Sequence, residues 1–362
     1  GRLSPWYQRQ LVYKIFLFYA RIDEESVCDT LLMEKTLEAV DQSGVDKVVC
    51  LALDHVFNEA GEAQKDRSHM WISNDYIVKH LRPRLPKKIL FGASVHPYKK
   101  NFKDCVKECV NNDAVLMKWL PSAQHINLAD DRVGKAMEFL AQAGLGGKAL
   151  PLLIHVGPEH AIYSSDPRTE SYNFLAWTWK DKIANFFRAK KDRLFVPQVE
   201  SIRRNIRTAL DAGAVIIFAH CGLPYFFSGF LGRLLEHSDF DAVKDYLAVT
   251  SGAPSGGKCY GDVSAVCTPF RKKYFKELKK LPQGQLLFGS DFPTPVFELS
   301  ADIKENIKDF KAILKGEFWR IIIPQDNLID VCYRELKYFF PGHPMFFNFH
   351  SLIPEDLWRR IA

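Results

Sequence analysis

The sequence predicts an α/β fold, a (β/α)8 barrel of the TIM type, because three apolar runs each end in a polar side chain. The runs are residues 150–157, 214–222 and 285–293. Strands covered on both faces by a parallel barrel have continuous apolar runs rather than polar alternation. The polar residues near the ends are His155, His220 and Asp291, in that order. Since barrel enzymes keep their chemistry at the C-terminal ends of the strands, these residues predict a common site.

Strands alternate with helices along the chain, which is typical of βαβ units and a parallel sheet. Strands are predicted at residues 45–54, 88–97, 114–121, 150–157, 214–219, 261–266 and 285–290. Helices are predicted at residues 29–43, 74–81, 102–110, 132–142, 199–211, 227–235, 301–314 and 325–339. The strands are one fewer than a closed barrel has, and the missing one is expected at the beginning.

The chain is expected to form a single barrel domain with additions at both ends. Residues 1–28 are interpreted as an aromatic-rich arm or loop, 29–340 as the barrel, and 341–362 as a tail that packs on it. The stretch at about 158–198 is too long for a simple crossover and is interpreted as an insertion. It is either a lid or pocket wall over the barrel mouth, or a segment that packs between helices.

Composition and charge exclude several classes of protein. Apolar residues make up 47% and charged residues 25% of the 362, as in globular rather than disordered or fibrous proteins. The net charge of +6 is mild and the basic residues are scattered, so we expect no nucleic-acid partner. The slight positive charge is compatible with an anionic small-molecule substrate. No Cys-x-x-Cys spacing occurs, so the cysteines do not indicate a zinc-ribbon motif. The apolar stretch 11–20 is too short for a transmembrane helix and contains Lys14. We therefore expect a cytoplasmic protein without a membrane partner; homo-oligomerisation is left open.

Several stretches occur in the order in which a known enzyme family has them. They are residues 74–76 with 91–97, 115–121, 124–131, 150–157, 218–222 and 288–293. Over about 29–340 the sequence resembles the amidohydrolase superfamily, in its branch of amidohydrolase-related metal-dependent hydrolases and decarboxylases. The resemblance implies a distorted (β/α)8 barrel that holds one or two divalent metal ions, zinc in the first place.

The resemblance also implies roles for the three strand-end residues. His155 would ligate the metal, and His220 would be a second ligand or, in members with one metal, a base that contacts the substrate. Asp291 would bind the metal and take a proton from its water. A divalent ion lowers the pKa of bound water to about 7, and a carboxylate can pass the proton on. The family's first-strand His-x-His pair is absent, since the first histidine is His55. Either that strand lies upstream of Gly1, which we favour, or half of the metal site has been lost.

Four further residues are candidate substrate contacts. Lys118 is either carboxylated to bridge two metals, or a cation facing a substrate carboxylate, or a lysine hydrogen-bonded inside the barrel. His96 either lines the barrel mouth or has a structural role. His125 and His160 lie in loops after predicted strands, where they either contact substrate or are exposed. Asp54, at the end of a predicted strand, is expected to cap a loop.

The sequence thus predicts a metal-dependent hydrolase that acts on a small, anionic substrate through a metal-activated water. A metal-dependent decarboxylase of an aromatic or unsaturated acid is the near alternative, in which the metal would orient the carboxylate. A barrel that has lost catalysis and serves as a binding or scaffold protein is the third, because the His-x-His pair is absent.

Overall fold

A computed structural model describes residues 2–156, 159, 162, 203–224, 239–251, 256–299, 303–315 and 326–361. At its centre is a sheet of seven parallel strands whose order in the sheet is their order in the chain. The strands are β1 (Val48–Leu51), β2 (Ile89–Ala93), β3 (Ala114–Trp119), β4 (Leu152–His155), β5 (Val215–Ala219), β6 (Lys258–Asp262) and β7 (Leu286–Leu287). Sequential parallel strands joined by helical crossovers are the arrangement of a TIM-type α/β fold, as the sequence predicts.

Both faces of this sheet are buried, which explains the apolar runs. On one face, strand residues form a cluster with Ile353 and Leu357 from the C-terminal segment. The strand residues of that cluster include Leu90, Leu116, Ile217 and Leu287. Neighbouring residues such as Ile154 and Phe218 have no exposed surface and belong to a larger cluster with the helices. Because successive residues of a strand point to opposite faces, burial of both faces requires apolar residues at successive positions.

The helices pack around the sheet through amphipathic faces. They are α1 (Pro5–Gln8), α2 (Leu11–Tyr19), α3 (Asp29–Gln42), α4 (Asn74–Tyr76), α5 (Phe102–Asn111), α6 (Pro121–Gln124), α7 (Asp131–Leu140), α8 (Arg203–Asp211), α9 (Phe240–Ser251), α10 (Phe275–Leu278), α11 (Ile303–Lys315), α12 (Leu328–Phe339), α13 (Met345–Asn348) and α14 (Glu355–Ile361). In α5, Phe102, Val106 and Cys109 are buried at helical spacing, so one stripe of this helix faces the core.

Residues 2–28 contain no strand of the central sheet. They form α1 and α2, and the short strand Arg2–Leu3 pairs antiparallel with Met70–Trp71. Tyr7 and Tyr13 are buried in a small cluster of their own. The strand that would precede β1 is therefore not found in this part of the chain, in agreement with the count made from the sequence.

The structure differs from the sequence prediction most at β6. This strand begins at Lys258 and ends at Asp262, whereas the sequence predicted residues 261–266. Val263 and Val266 are better strand formers than Lys258 and Gly261, so local propensity favoured the wrong boundaries. Of the predicted insertion at about 158–198, the described residues include 159 and 162 alone, and the predicted helix at 227–235 lies outside them. Among the described residues, no helix has the length and apolar character to cross a membrane.

Candidate active site

Two imidazoles and a carboxylate come together at the C-terminal ends of the strands. His155 is the last residue of β4, and His220 directly follows β5. Their ring centroids are 5.0 Å apart in an edge-to-face arrangement. Asp291, in the segment after β7, has its Oδ2 4.0 Å from His220 Nε2. The structure therefore places the three residues within reach of one small molecule.

The backbone at these strand ends is in a rare conformation. His220 and Cys221 have φ of 54° and 51°, Ala265 has 51° and Asp291 has 57°. Residues other than glycine rarely adopt this left-handed region, and such strain is concentrated at functional sites. Arg271 holds two of these segments, because its buried guanidinium donates hydrogen bonds to the carbonyls of Leu223, Pro224 and Ala265.

The ring of His220 is fixed by Ser264. Its Nδ1 lies 2.8 Å from Ser264 Oγ and 3.1 Å from the Ser264 carbonyl oxygen. A carbonyl only accepts hydrogen bonds, so Nδ1 carries the proton and Nε2 keeps its lone pair. Burial lowers the pKa of His220 well below its usual value, and the positive charges of Arg271 and Lys118 act in the same direction. The imidazole is therefore neutral at pH 7, with Nε2 ready to accept a proton or bind a cation.

Asp262 is a site residue that the sequence analysis missed. It ends β6, and its Oδ1 accepts a hydrogen bond from the Ser264 amide. Burial raises the pKa of this carboxyl, while the hydrogen bonds from Ser264 oppose the shift. Gly289 allows the close packing here, since a Cβ at that position would lie 2.9 Å from Ser264 Cβ and 3.0 Å from Asp262 Oδ1. The misplaced end of β6 hid this strand-end carboxylate.

The Asp291 side chain is accessible from outside, yet its surroundings disfavour a negative charge on its carboxyl. About two fifths of its side-chain surface is accessible, as a side chain that meets a ligand requires. Desolvation raises the pKa of its carboxyl to about 7; the charge of Lys118 opposes this shift, and the charges of Asp262 and Glu159 add to it. Near neutral pH this carboxyl can therefore both give and take a proton.

Glu159 is a second carboxylate that the sequence analysis did not single out. Its Oε2 lies 3.4 Å from His155 Nε2, and its Oε1 accepts a hydrogen bond from the amide of Ile162. Both side chains of this pair are buried. In the sequence, the feature that could have identified Glu159 is its position four residues after His155, the histidine at the end of a strand.

Lys118 lies among these carboxylates. It is the one residue of β3 that is not fully buried. Burial lowers the pKa of its amine, and the charges of Asp262, Asp291 and Glu159 raise it. Among the described residues, its ammonium has no hydrogen-bond or ion-pair partner.

The histidine candidates outside this cluster have other surroundings. His96 is completely buried; its Nε2 lies 2.8 Å from the Gln124 carbonyl and its Nδ1 accepts from the Tyr98 amide. Both ring nitrogens are thus engaged, and a substrate contact by His96 is not supported. His125 is buried at the end of α6, and His160 lies outside the described residues.

Asp54 has the structural role that was expected. Its carboxylate accepts hydrogen bonds from the His55 and His96 amides, and Lys99 Nζ lies 3.0 Å from its Oδ2. It therefore joins the loop after β1 to the segment after β2.

The donor set has the chemistry of a zinc site. Imidazole nitrogens and carboxylate oxygens are the usual zinc ligands besides cysteine, and a ligating histidine generally donates its other N–H to the protein, as His220 does to Ser264. Within the described part of the chain, no three His, Cys, Asp or Glu side chains lie close enough together to hold an ion. The donors therefore fit a divalent cation in kind, while their spacing gives two pairs, His155 with Glu159 and His220 with Asp291.

Comparisons with known proteins give matches to solved structures at very low identity and low TM-scores. No protein-family model matches the chain, and no curated protein matches it. A probable 2-pyrone-4,6-dicarboxylic acid hydrolase from Acinetobacter baumannii has 12% identity and a TM-score of 0.40 over 83% of this chain and 88% of that one. A protein assigned the same activity in Pseudomonas putida has 13% identity and a TM-score of 0.41, covering 84% and 87%. IDCase from Metarhizium anisopliae has 11% identity and a TM-score of 0.38, covering 85% and 78%.

Proposed function

We propose that this protein is a metal-dependent hydrolase of the amidohydrolase type, which acts on a small, anionic substrate through an activated water. One observation carries the proposal: His220 Nε2 and Asp291 Oδ2 are 4.0 Å apart. One water molecule or one substrate oxygen can bridge two polar atoms at that separation. A proton acceptor and an ionisable carboxyl would then contact the same reacting atom.

The two side chains divide the proton transfers between them. Neutral His220 accepts a proton at Nε2, while its Nδ1–H remains bound to Ser264, which keeps the ring in place. Asp291, with a pKa of about 7, passes a proton to the leaving group. General acid–base catalysis of this kind contributes about 10²- to 10⁴-fold to a rate.

A divalent cation, zinc in the first place, is part of the proposal. With one cation, His155 and Asp291 would hold it while His220 stays free as the base; with two cations, His220 would be a ligand instead. The carboxylates of Asp262 and Glu159 would favour the positive charge of the cation. When bound, the cation would make hydroxide available at neutral pH. Elemental analysis of the purified chain tests this directly, and we expect one or two ions per molecule.

The reaction is tested by product analysis on a panel of lactones, amides and hydroxybenzoates, with and without added zinc. We expect hydrolysis of a lactone or amide, abolished by His220→Asn and by Asp291→Asn. His80→Asn and Asp75→Asn, which change exposed residues on α4 and the π-helix after it, are the matched controls and should leave the rate unchanged.

Other outcomes would refute the proposal in distinct ways. Release of carbon dioxide from a hydroxybenzoate would identify a decarboxylase. A chain that binds no metal and turns over no member of the panel would favour the binding or scaffold protein. Hydrolysis that survives both site variants would show that the reaction takes place elsewhere.

A further inference from the structure

Lys118 is the cation of the candidate site whose role the acid–base chemistry leaves open. In the β3–β4 ladder it lies opposite Leu153, and Leu153 and His155 are two positions apart on β4. Residues two apart on a strand point to the same face of the sheet. The lysine therefore extends on the face of the sheet that carries His155.

The ammonium of Lys118 has no partner in the described part of the chain. Among the described residues no acceptor lies within hydrogen-bond or ion-pair distance of its Nζ, and the three carboxylates act on it from farther away. The side chain is partly exposed, unlike the rest of β3, so its N–H groups are open to a molecule bound at the strand ends. The three N–H groups of this lysine are therefore available to an acceptor on a bound ligand.

Arg271, the buried cation near this site, is engaged by the backbone. Arg271 uses Nε, Nη1 and Nη2 on the carbonyls of Pro224, Ala265 and Leu223, so it holds the loops together. Arg271 thus has three of its five N–H donors committed to carbonyls, whereas none of the three Lys118 donors is engaged by a described residue.

We propose that Lys118 binds a carboxylate of the substrate, which makes small carboxylic acids and their lactones or amides the substrate class. The inference rests on the proposed function, since the bound carboxylate would hold the reacting carbon near His220 and Asp291. A carboxylate fits better than a phosphate, because Asp262, Asp291 and Glu159 already crowd the site with negative charge. One ammonium offsets a single charge and would leave a phosphate dianion repelled.

The test compares acids with their neutral amides on the full chain. Benzoate with benzamide, and propionate with propionamide, are titrated by ligand-observed NMR into the wild type, Lys118→Met and Lys118→Gln. Lys79→Met, which removes an exposed lysine, is the control. We expect at least one acid to bind the wild type about tenfold or more tightly than its amide, and Lys118→Met to weaken that acid by about 10- to 100-fold, the range of a charge-assisted hydrogen bond.

Three results would overturn the inference: acid and amide bind the wild type alike, neither acid binds, or Lys118→Met and Lys118→Gln bind the acid as the wild type does. If both variants fail to fold, the comparison of acid with amide on the wild type still decides. The proposed function fails separately. If the protein binds an acid through Lys118 but turns over no substrate, the proposed hydrolase activity alone is refuted. If Lys118→Gln leaves turnover unchanged, the proposed carboxylate site alone is refuted.

Discussion

Acid should destabilise this fold through His96. The ring is completely buried and its two nitrogens are engaged with Gln124 and Tyr98, so the folded state has no place for a second ring proton. Burial accordingly lowers the pKa of His96 to about 4. In the unfolded chain the same group has a pKa of about 6.5, so the unfolded state binds the proton first as the pH falls. The stabilisation is complete above pH 6.5 and is lost between about pH 6.5 and pH 4.

The two pKa values give the size of this effect. Relative to pH 7.5, His96 should lower the free energy of unfolding by about 2 kcal/mol at pH 5 and about 3 kcal/mol at pH 4. Urea unfolding at pH 7.5 and pH 5 gives the loss of unfolding free energy on acidification for the wild type and for His96→Gln. The difference between these two losses measures the contribution of His96. His80→Gln, at an exposed position, is the control. Equal losses of stability on acidification in the wild type and His96→Gln would refute the reasoning.

Three further predictions concern the site. Gly289→Ala should lower the free energy of unfolding by about 1–3 kcal/mol, because its Cβ would lie 2.9 Å from Ser264 Cβ. Gly284→Ala, with no atom within 4 Å of the added carbon, is the control, and equal urea midpoints would contradict the prediction. Ser264→Ala removes the hydroxyl 2.8 Å from His220 Nδ1 and should cost about 1 kcal/mol in the same assay; no change would show that this bond contributes nothing. Asp291→Asn should abolish turnover without loss of thermal stability, because asparagine tolerates its φ of 57° and no longer repels nearby carboxylates; retained turnover would exclude its proposed role.

The sequence predicted the sheet well because its strands are buried on both faces. Each apolar run corresponds to one strand, and parallel order follows from the helices between them. Parallel order also brings all C-terminal strand ends to one edge, so the proximity of His155 and His220 follows from the residue pattern alone. Their separation in the chain is long, yet β4 and β5 are neighbours in the sheet.

The rest of the site depends on details that a pattern of apolar residues does not contain. Asp262 was missed because propensity put the end of β6 a few residues too late. Ser264 acts through one hydroxyl in a turn, and the sequence gives no sign of which ring it meets. His96 follows a strand as His155 does, but the Asp54 carboxylate binds its amide and the local turn binds its ring, and this depends on tertiary contacts.

The charges at the strand ends make a prediction about how the site would bind a metal ion. Asp262, Asp291 and Glu159 bring three carboxyl groups to one region, and the charges of Asp262 and Glu159 raise the pKa of Asp291. Lys118 offsets one negative charge, and Arg271 is bound to carbonyls. The remaining negative charge can be removed by protonating Asp291, whose pKa is about 7, or by binding a cation. A bound cation would displace that proton, so metal binding should release a proton to the buffer and should weaken as the pH falls below 7. Calorimetric zinc titrations in two buffers of different ionisation enthalpy would measure the released proton, and an identical apparent enthalpy in both would contradict this charge balance.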